Sequence, residues 1–134
     1  MNKENQHSIM VVDDDLVTLK YFQGMFRKMP YTVFYAKNGQ EAITKAKKQT
    51  IDLAFIDIEM PIMNGFETLI AWKKMQPDTQ IIIMSTYNDD ETVRRAIKEG
   101  AHTYLFKPIN RADVFSLVSK RFQNIESDDV ITFK

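Results

Sequence analysis

The sequence predicts an α/β fold, with five strands and five helices in strict alternation forming a doubly wound parallel sheet in a three-layer α/β/α sandwich. Three observations carry this prediction. Short apolar runs alternate with amphipathic stretches from one end of the chain to the other. The runs are uninterrupted rather than alternating in and out, which is what a parallel sheet covered on both faces requires. Four of them stop on polar or charged residues, at the edge where open parallel sheets bind ligands. Right-handed crossovers complete the double winding.

Ile9 to Val12 is the first strand and stops at Asp13, Asp14 and Asp15. Leu16, Leu19, Phe22, Phe26 and Met29 recur at spacings of three or four, the period of a helix with one buried face. Pro30 ends that helix, and Tyr31 to Tyr35 is β-prone. Asn38-Gly39 signals a turn before a helix from about Gln40 to Lys48. Leu53 to Ile56 is the third strand, ending on Asp57. Past Pro61 and Gly65, Phe66, Leu69 and Ile70 share a helical face, until Pro77-Asp78 breaks it. Ile81 to Met84 is the fourth strand, ending on Ser85. Asp89 and Asp90 can cap a fourth helix that turns Val93, Ala96 and Ile97 inward and stops at Gly100. Tyr104 to Phe106 is the fifth strand, ending on Lys107-Pro108, and a last helix runs from about Asn110 to Phe122.

The pattern gives one domain over residues 8–122. Residues 1–7 read as a disordered tail, and residues 123–134 as a C-terminal tail or the start of a linker. Lysine plus arginine equal aspartate plus glutamate at 18 each, so no global charge argues for wrapping nucleic acid or adhering to a membrane. The absence of cysteine removes disulfides, thiol nucleophiles and thiolate metal sites, and fits a cytoplasmic location. No apolar run approaches the ~18 residues of a membrane span, and Met1 to Ser8 lacks a signal-peptide core. His7 and His102 make no ligand pair.

The strand ends bring Asp13, Asp14, Asp57, Ser85 and Lys107 toward one edge. Taken singly, each carboxylate reads as a helix cap or loop residue, Ser85 is uninformative, and Lys107 is a solvated lysine. Taken together, clustered carboxylates stay ionised only beside a compensating cation. Hard oxygen ligands with room for water suit Mg²⁺.

The segments Val11-Val12-Asp13-Asp14, Phe55-Ile56-Asp57-Ile58, Met60-Pro61, Asn64-Gly65, Ile83-Met84-Ser85-Thr86, Gly100-Ala101 and Tyr104-Leu105-Phe106-Lys107-Pro108 follow in that order. With them the chain resembles, over nearly its whole length, the receiver domains of two-component response regulators, and the chemotaxis regulators among them. The resemblance implies a flavodoxin-like strand order, 2-1-3-4-5. It implies that Asp57 accepts a phosphoryl group from a sensor histidine kinase or phosphotransfer protein. Asp13, Asp14, Asp57 and the backbone carbonyl of Glu59 would hold Mg²⁺, while Lys107 pairs with the phosphoryl oxygens. Ser85 and Tyr104 would be the switch, relaying the charge change to the surface of the fourth helix, fifth strand and fifth helix. Pro108 would follow a cis peptide bond, and Asp15 would start a helix.

By the same resemblance the chain is a cytoplasmic signalling domain that catalyses only its own phosphorylation and dephosphorylation. It would bind neither nucleic acid nor membrane directly, would act on an output partner or attached effector, and is compatible with a phosphorylation-dependent homodimer. Several positions depart from the family pattern. Thr86 stands where alanine or glycine is usual, Asn64 for aspartate and Ile51 for proline. Glu59 and Tyr87 flank the acceptor and bear on phosphoryl lifetime. His102-Thr103 replaces an acidic pair used in one class of receiver dimer. Arg94, Arg95, Lys98 and Arg111 give the output face a basic character that a solvated helix explains equally well. Two rivals remain: a phosphorylation-independent pseudo-receiver, and a haloacid-dehalogenase-like phosphohydrolase using Asp13 and Asp15.

Overall fold

Ile9–Val12, Leu53–Ile56 and Ile81–Met84 are wholly removed from water, and these three apolar runs are the three central strands. The computed structural model describes residues 6–132, and from Gln123 onward the backbone alone. In chain order the elements are β1 (Ser8–Val12), α1 (Leu16–Phe26), β2 (Thr32–Ala36), α2 (Gly39–Ala46), β3 (Leu53–Asp57), α3 (Gly65–Met75), β4 (Gln80–Ser85), α4 (Asp90–Lys98), β5 (Thr103–Phe106) and α5 (Arg111–Thr132). The strands lie in the order β2-β1-β3-β4-β5, the order the resemblance implies, and every pair is parallel, as the uninterrupted apolar runs predict.

Side-chain parity divides the core in two, because successive residues of a strand face opposite sides of the sheet. Ile9, Val11, Leu53, Phe55, Ile82 and Met84 pack under α1 and α5, against Phe22, Phe26, Val114 and Val118. Met10, Val12, Ala54, Ile56, Ile81 and Ile83 pack under α2, α3 and α4, against Ile43, Leu69, Trp72 and Ala96. Apolar burial on both faces is the dominant stabilising term.

The helices differ from the sequence pattern in instructive places. Leu16 is 45% exposed and Ile97 47% exposed, although spacing turns both inward. Leu16 opens α1, ahead of its buried face of Leu19, Phe22, Met25 and Phe26. Helix α4 buries only Ala96, and the neighbouring Ile97 faces solvent. On α3 the principal buried group is Trp72, while Ile70 is half-buried. Trp72 donates its indole N–H to the Thr79 hydroxyl, 3.2 Å away. Asn38 and Gly39 form a helix start rather than a free turn, with the Asn38 side chain capping α2. A Cβ on Gly39 would lie 1.9 Å from Thr68 Oγ1 and 2.8 Å from the Met63 carbonyl, so glycine allows α2 to approach α3. Gly100, at φ 116°, takes the left-handed conformation that ends α4.

Gln6 and His7, assigned by pattern to the N-terminal tail, are held. The His7 carbonyl accepts from the Thr32 amide at 2.9 Å, and its ring stacks on Phe122 at 4.2 Å. Residues 1–5 of that tail lie outside the described residues. Helix α5 continues to Thr132 instead of ending at Phe122, since neither glycine nor proline interrupts Gln123 to Thr132. Phe133 and Lys134 lie outside the described residues. Among those described, no helix is long and apolar enough to cross a membrane.

Trp72→Ala is expected to cost about 3–5 kcal/mol and Leu16→Ala less than about 0.5 kcal/mol, read from urea unfolding midpoints. Equal costs would mean that α1 is rotated from the face described.

Candidate functional site

Asp13, Asp57, Ser85 and Lys107 meet because β1, β3, β4 and β5 end at one edge of the sheet. Asp13 and Ser85 are fully buried and Asp57 is 3% exposed, whereas Asp14 is exposed. One carboxylate oxygen each from Asp13, Asp14 and Asp57 lies within 4.8 Å of the others. Lys107 reaches into this group, its ammonium 2.9 Å from Asp13 Oδ2 and 3.1 Å from Asp57 Oδ1. Asp13 Oδ1 also accepts from the Asp15 amide at 2.9 Å.

Burial pushes the Asp57 carboxyl up from 3.8 to about 6, the neighbouring Asp13 charge adds to this, and Lys107 opposes it. Burial pulls Lys107 down, but its bonds and charge pairing with Asp13 and Asp57 outweigh that and raise it. One ammonium facing three carboxylates leaves a surplus of negative charge. An all-oxygen donor set in this state fits a hard divalent cation with vacant positions for water.

The backbone beneath Asp57 is equally specific. A Cβ on Gly65 would lie 2.4 Å from the Asp57 carbonyl and 2.6 Å from Ile58 Cα, so α3 starts directly against the end of β3. Asn64 and Glu67 form a capping box there, satisfying two amides of the first turn. The intervening loop places Ile62 at φ 71° and 80% exposed. A β-branched residue is strained in that region, and nothing in its sequence context announces it.

Ser85 and Tyr104 act on the same residue. Ser85 Oγ accepts from the Tyr87 amide at 3.0 Å, and the Tyr104 hydroxyl donates to the Tyr87 carbonyl at 2.7 Å. Burial raises the Tyr104 phenol, with the Ser85 hydroxyl working against the rise. The exposed Tyr87 phenol is itself raised, first by its hydrogen bond to the Glu59 carboxylate and then by that charge. Glu59 and Tyr87, two residues after Asp57 and Ser85 respectively, are thus linked to one another. Lys107–Pro108 is the cis peptide bond the resemblance implies.

Asp15 stands apart from the cluster. It caps α1, accepting from the Val17 amide at 3.0 Å. The carboxylate pair needed by a haloacid-dehalogenase-like site is therefore not assembled. Sequence reasoning missed the cavity of about 590 Å³ beside Lys107, lined by Val17, Thr18, Tyr21, Thr86 and Ile109 among others. Val17, 74% exposed, and Tyr21, 40% exposed, are the large apolar residues of α1 left uncovered beside it. On the opposite flank, two of the four basic residues lie over aromatic rings of the domain itself, Arg95 over Phe66 at 4.0 Å and Arg111 over Phe115 at 5.4 Å.

Comparison with known proteins agrees with this geometry. The family described as response regulator receiver domain matches residues 9–119. The chain is 38% identical over 105 residues to the transcriptional regulatory protein ZraR of Klebsiella oxytoca, covering 78% of this chain and 24% of that protein. It thus spans about a quarter of the length of that relative. It is 32% identical over 113 residues to the chemotaxis protein CheY of Thermotoga maritima, covering 84% of this chain and 94% of that one. Among solved structures, a chain of the CheX–CheY–BeF3–Mg²⁺ complex from Borrelia burgdorferi superimposes with a TM-score of 0.80 at 28% identity, covering 87% of this chain and 89% of that one.

An acid whose folded-state pKa lies above its unfolded value stabilises the fold while protonated. That contribution is complete below the ordinary value of 3.8 and is lost as pH rises through about 6. Asp57→Asn cannot ionise, so without divalent metal it is expected to exceed the wild type in stability near neutrality by on the order of 2 kcal/mol. The gap should close toward about pH 4 in urea unfolding series. A pH-independent gap would assign Asp57 an ordinary exposed carboxylate's titration.

Proposed function

The chain belongs to the response regulator receiver domain family, and from that premise we propose that Asp57 is the residue phosphorylated in a two-component signalling pathway. The observation that carries the reading is the buried Asp57 carboxylate held 3.1 Å from Lys107 beside Asp13 and Asp14. With its carboxyl at about 6, Asp57 is chiefly ionised near neutrality, the form that can act as a nucleophile. In the step proposed, an Asp57 Oδ–P bond forms as the P–N bond of a donor phosphohistidine breaks, and the donor imidazole keeps the electron pair. The donor belongs to a sensor histidine kinase or phosphotransfer protein.

Asp13, Asp14, Asp57 and the Glu59 carbonyl would hold Mg²⁺; when bound, it neutralises charge on the phosphoryl oxygens. Lys107 is the group free to follow those oxygens, since it already contacts Asp57. Beryllofluoride and Mg²⁺ accompany the CheY of the Borrelia complex, which supports the same occupants here.

A phosphoryl group adds negative charge and strong acceptor oxygens. Drawing the Ser85 hydroxyl toward them removes the acceptor of the Tyr87 amide, and Tyr87 also anchors the Tyr104 hydroxyl. The loop between β4 and α4 would therefore be released together with Tyr104, altering the face built by α4, β5 and α5. Exposed Ile97 and Phe106 lie on that face. The same face would serve control of either a separate partner or an attached effector.

Asp57→Asn is expected to abolish phosphoprotein formation from acetyl phosphate and Mg²⁺, read by intact mass; an unchanged yield would remove Asp57 from the acceptor role. Beryllofluoride with Mg²⁺ is expected to shift the amide resonances of Ser85, Tyr87 and Tyr104 as well as those near Asp57. Shifts confined to residues 55–59 would sink the proposed relay.

A further inference from the structure

Charge is unevenly distributed along a chain whose total is zero. Residues 16–50, which build α1, β2 and α2, carry seven lysines and arginines against one acid, Glu41, and the rest of the chain carries eleven against seventeen. These elements are neighbours in space. Strand β2 is the outermost strand of the sheet, with α1 packed on one face and α2 on the other. None of the seven bases joins an ion pair among the described residues, and all but Lys45 are exposed.

Three of them, Lys20, Lys37 and Lys45, line a groove of about 230 Å³ with Leu16, Leu19 and Tyr35. Lys45 Nζ donates to the Tyr35 carbonyl, which occupies an outward-facing acceptor of the edge strand and opposes addition of another strand there. Glu41, the sole acid, is engaged by the Lys37 backbone amide. Half-exposed Leu16 adds an apolar wall beside the free ammonium groups.

We propose that this groove docks an acidic protein segment, its carboxylates pairing with Lys20 and Lys37 and an apolar side chain resting on Leu16 and Leu19. Unpaired lysines around an apolar floor are complementary to a segment of that kind. Nucleic acid fits less well: six of the seven bases are lysine, which lacks the planar fork of arginine. Burial lifts the Tyr35 phenol to about 12, and that ring is half-buried, leaving little face for a base to stack on. The site is separate from Asp57 and does not depend on its chemistry.

The test titrates the whole ¹⁵N-labelled chain with a glutamate-rich peptide bearing leucines along one helical face, followed also by fluorescence anisotropy. Amide shifts are expected to centre on Leu16, Lys20, Lys37 and Lys45, with affinity falling as salt rises. The double charge reversal Lys20→Glu/Lys37→Glu should weaken binding by at least about tenfold at an unchanged melting temperature. If that variant unfolds, Lys20→Gln/Lys37→Gln, which keeps most of the apolar stems, should still weaken it severalfold. No binding at low salt, unaltered affinity in the folded variant, or equal affinity for a peptide with serine in place of leucine would overturn the proposal. So would tighter binding of oligothymidylate, or occupation of the groove by a second copy of the chain.

Discussion

The Lys107 ammonium is the interaction on which the site depends. Two carboxylates at the ends of adjacent strands, Asp13 and Asp57, are buried, and burying a charge without a partner costs several kcal/mol. Lys107 arrives from β5, two strands away from β3, and contacts both. It cannot satisfy all three acids. Burial, with the Asp13 charge added, raises Asp57 to about 6 against the pull of Lys107, and the surplus of negative charge makes the cluster receptive to further positive charge. A fully neutralised site would be more stable and less able to respond to a ligand, so the electrostatic deficit and the capacity to signal have one origin.

The support around that deficit is graded in stiffness. Beneath Asp57, Gly65 lets α3 start against the strand backbone, and Gly39 lets α2 press on α3. These contacts are backbone to backbone or nearly so, and they fix Asp57. On the other flank, α4 buries one residue, Ala96, and is otherwise held by Arg95 over Phe66 and by the capping of Asp89. Few buried contacts mean a small free-energy gap between positions. The rigid side carries Asp57, and the loosely held side carries the surface that the proposed switch would move.

Much of this was legible in the sequence. Uninterrupted apolar runs identified the central strands, because only burial on both faces tolerates them. Asp13, Asp57, Ser85 and Lys107 stood out as polar residues terminating those runs. What spacing could not give was depth. Leu16 and Ile97 fit a buried helical face, yet exposure depends on how far each helix end overhangs the sheet, a tertiary property. Asn38-Gly39 looked like a turn because its steric reason lies at Thr68, distant in sequence. The positive φ of Ile62 has no local signature. The extent of α5 was missed for the converse reason: the apolar period lapses after Phe122, while the backbone needs only the absence of a breaker to stay helical.

Sheet order also bears on how the proposed docking and the proposed switching would relate. With β1 and β3 central, α1, β2 and α2 lie at one edge and α4 and β5 at the other. A partner held at the basic β2 edge therefore leaves the α4–β5 side uncovered. Asp57 sits between the two edges, on the strand after β1, so a phosphoryl charge placed there would be felt at short range on both sides. The asymmetry in response comes from packing. Lys45 and the Asn38 cap tie α2 to its strand and turn, whereas Tyr87 ties the β4–α4 loop through two hydrogen bonds whose partners, Ser85 and Tyr104, lie on the path of the charge. The same perturbation at Asp57 thus meets a braced edge suited to constant docking and a lightly tethered edge suited to change.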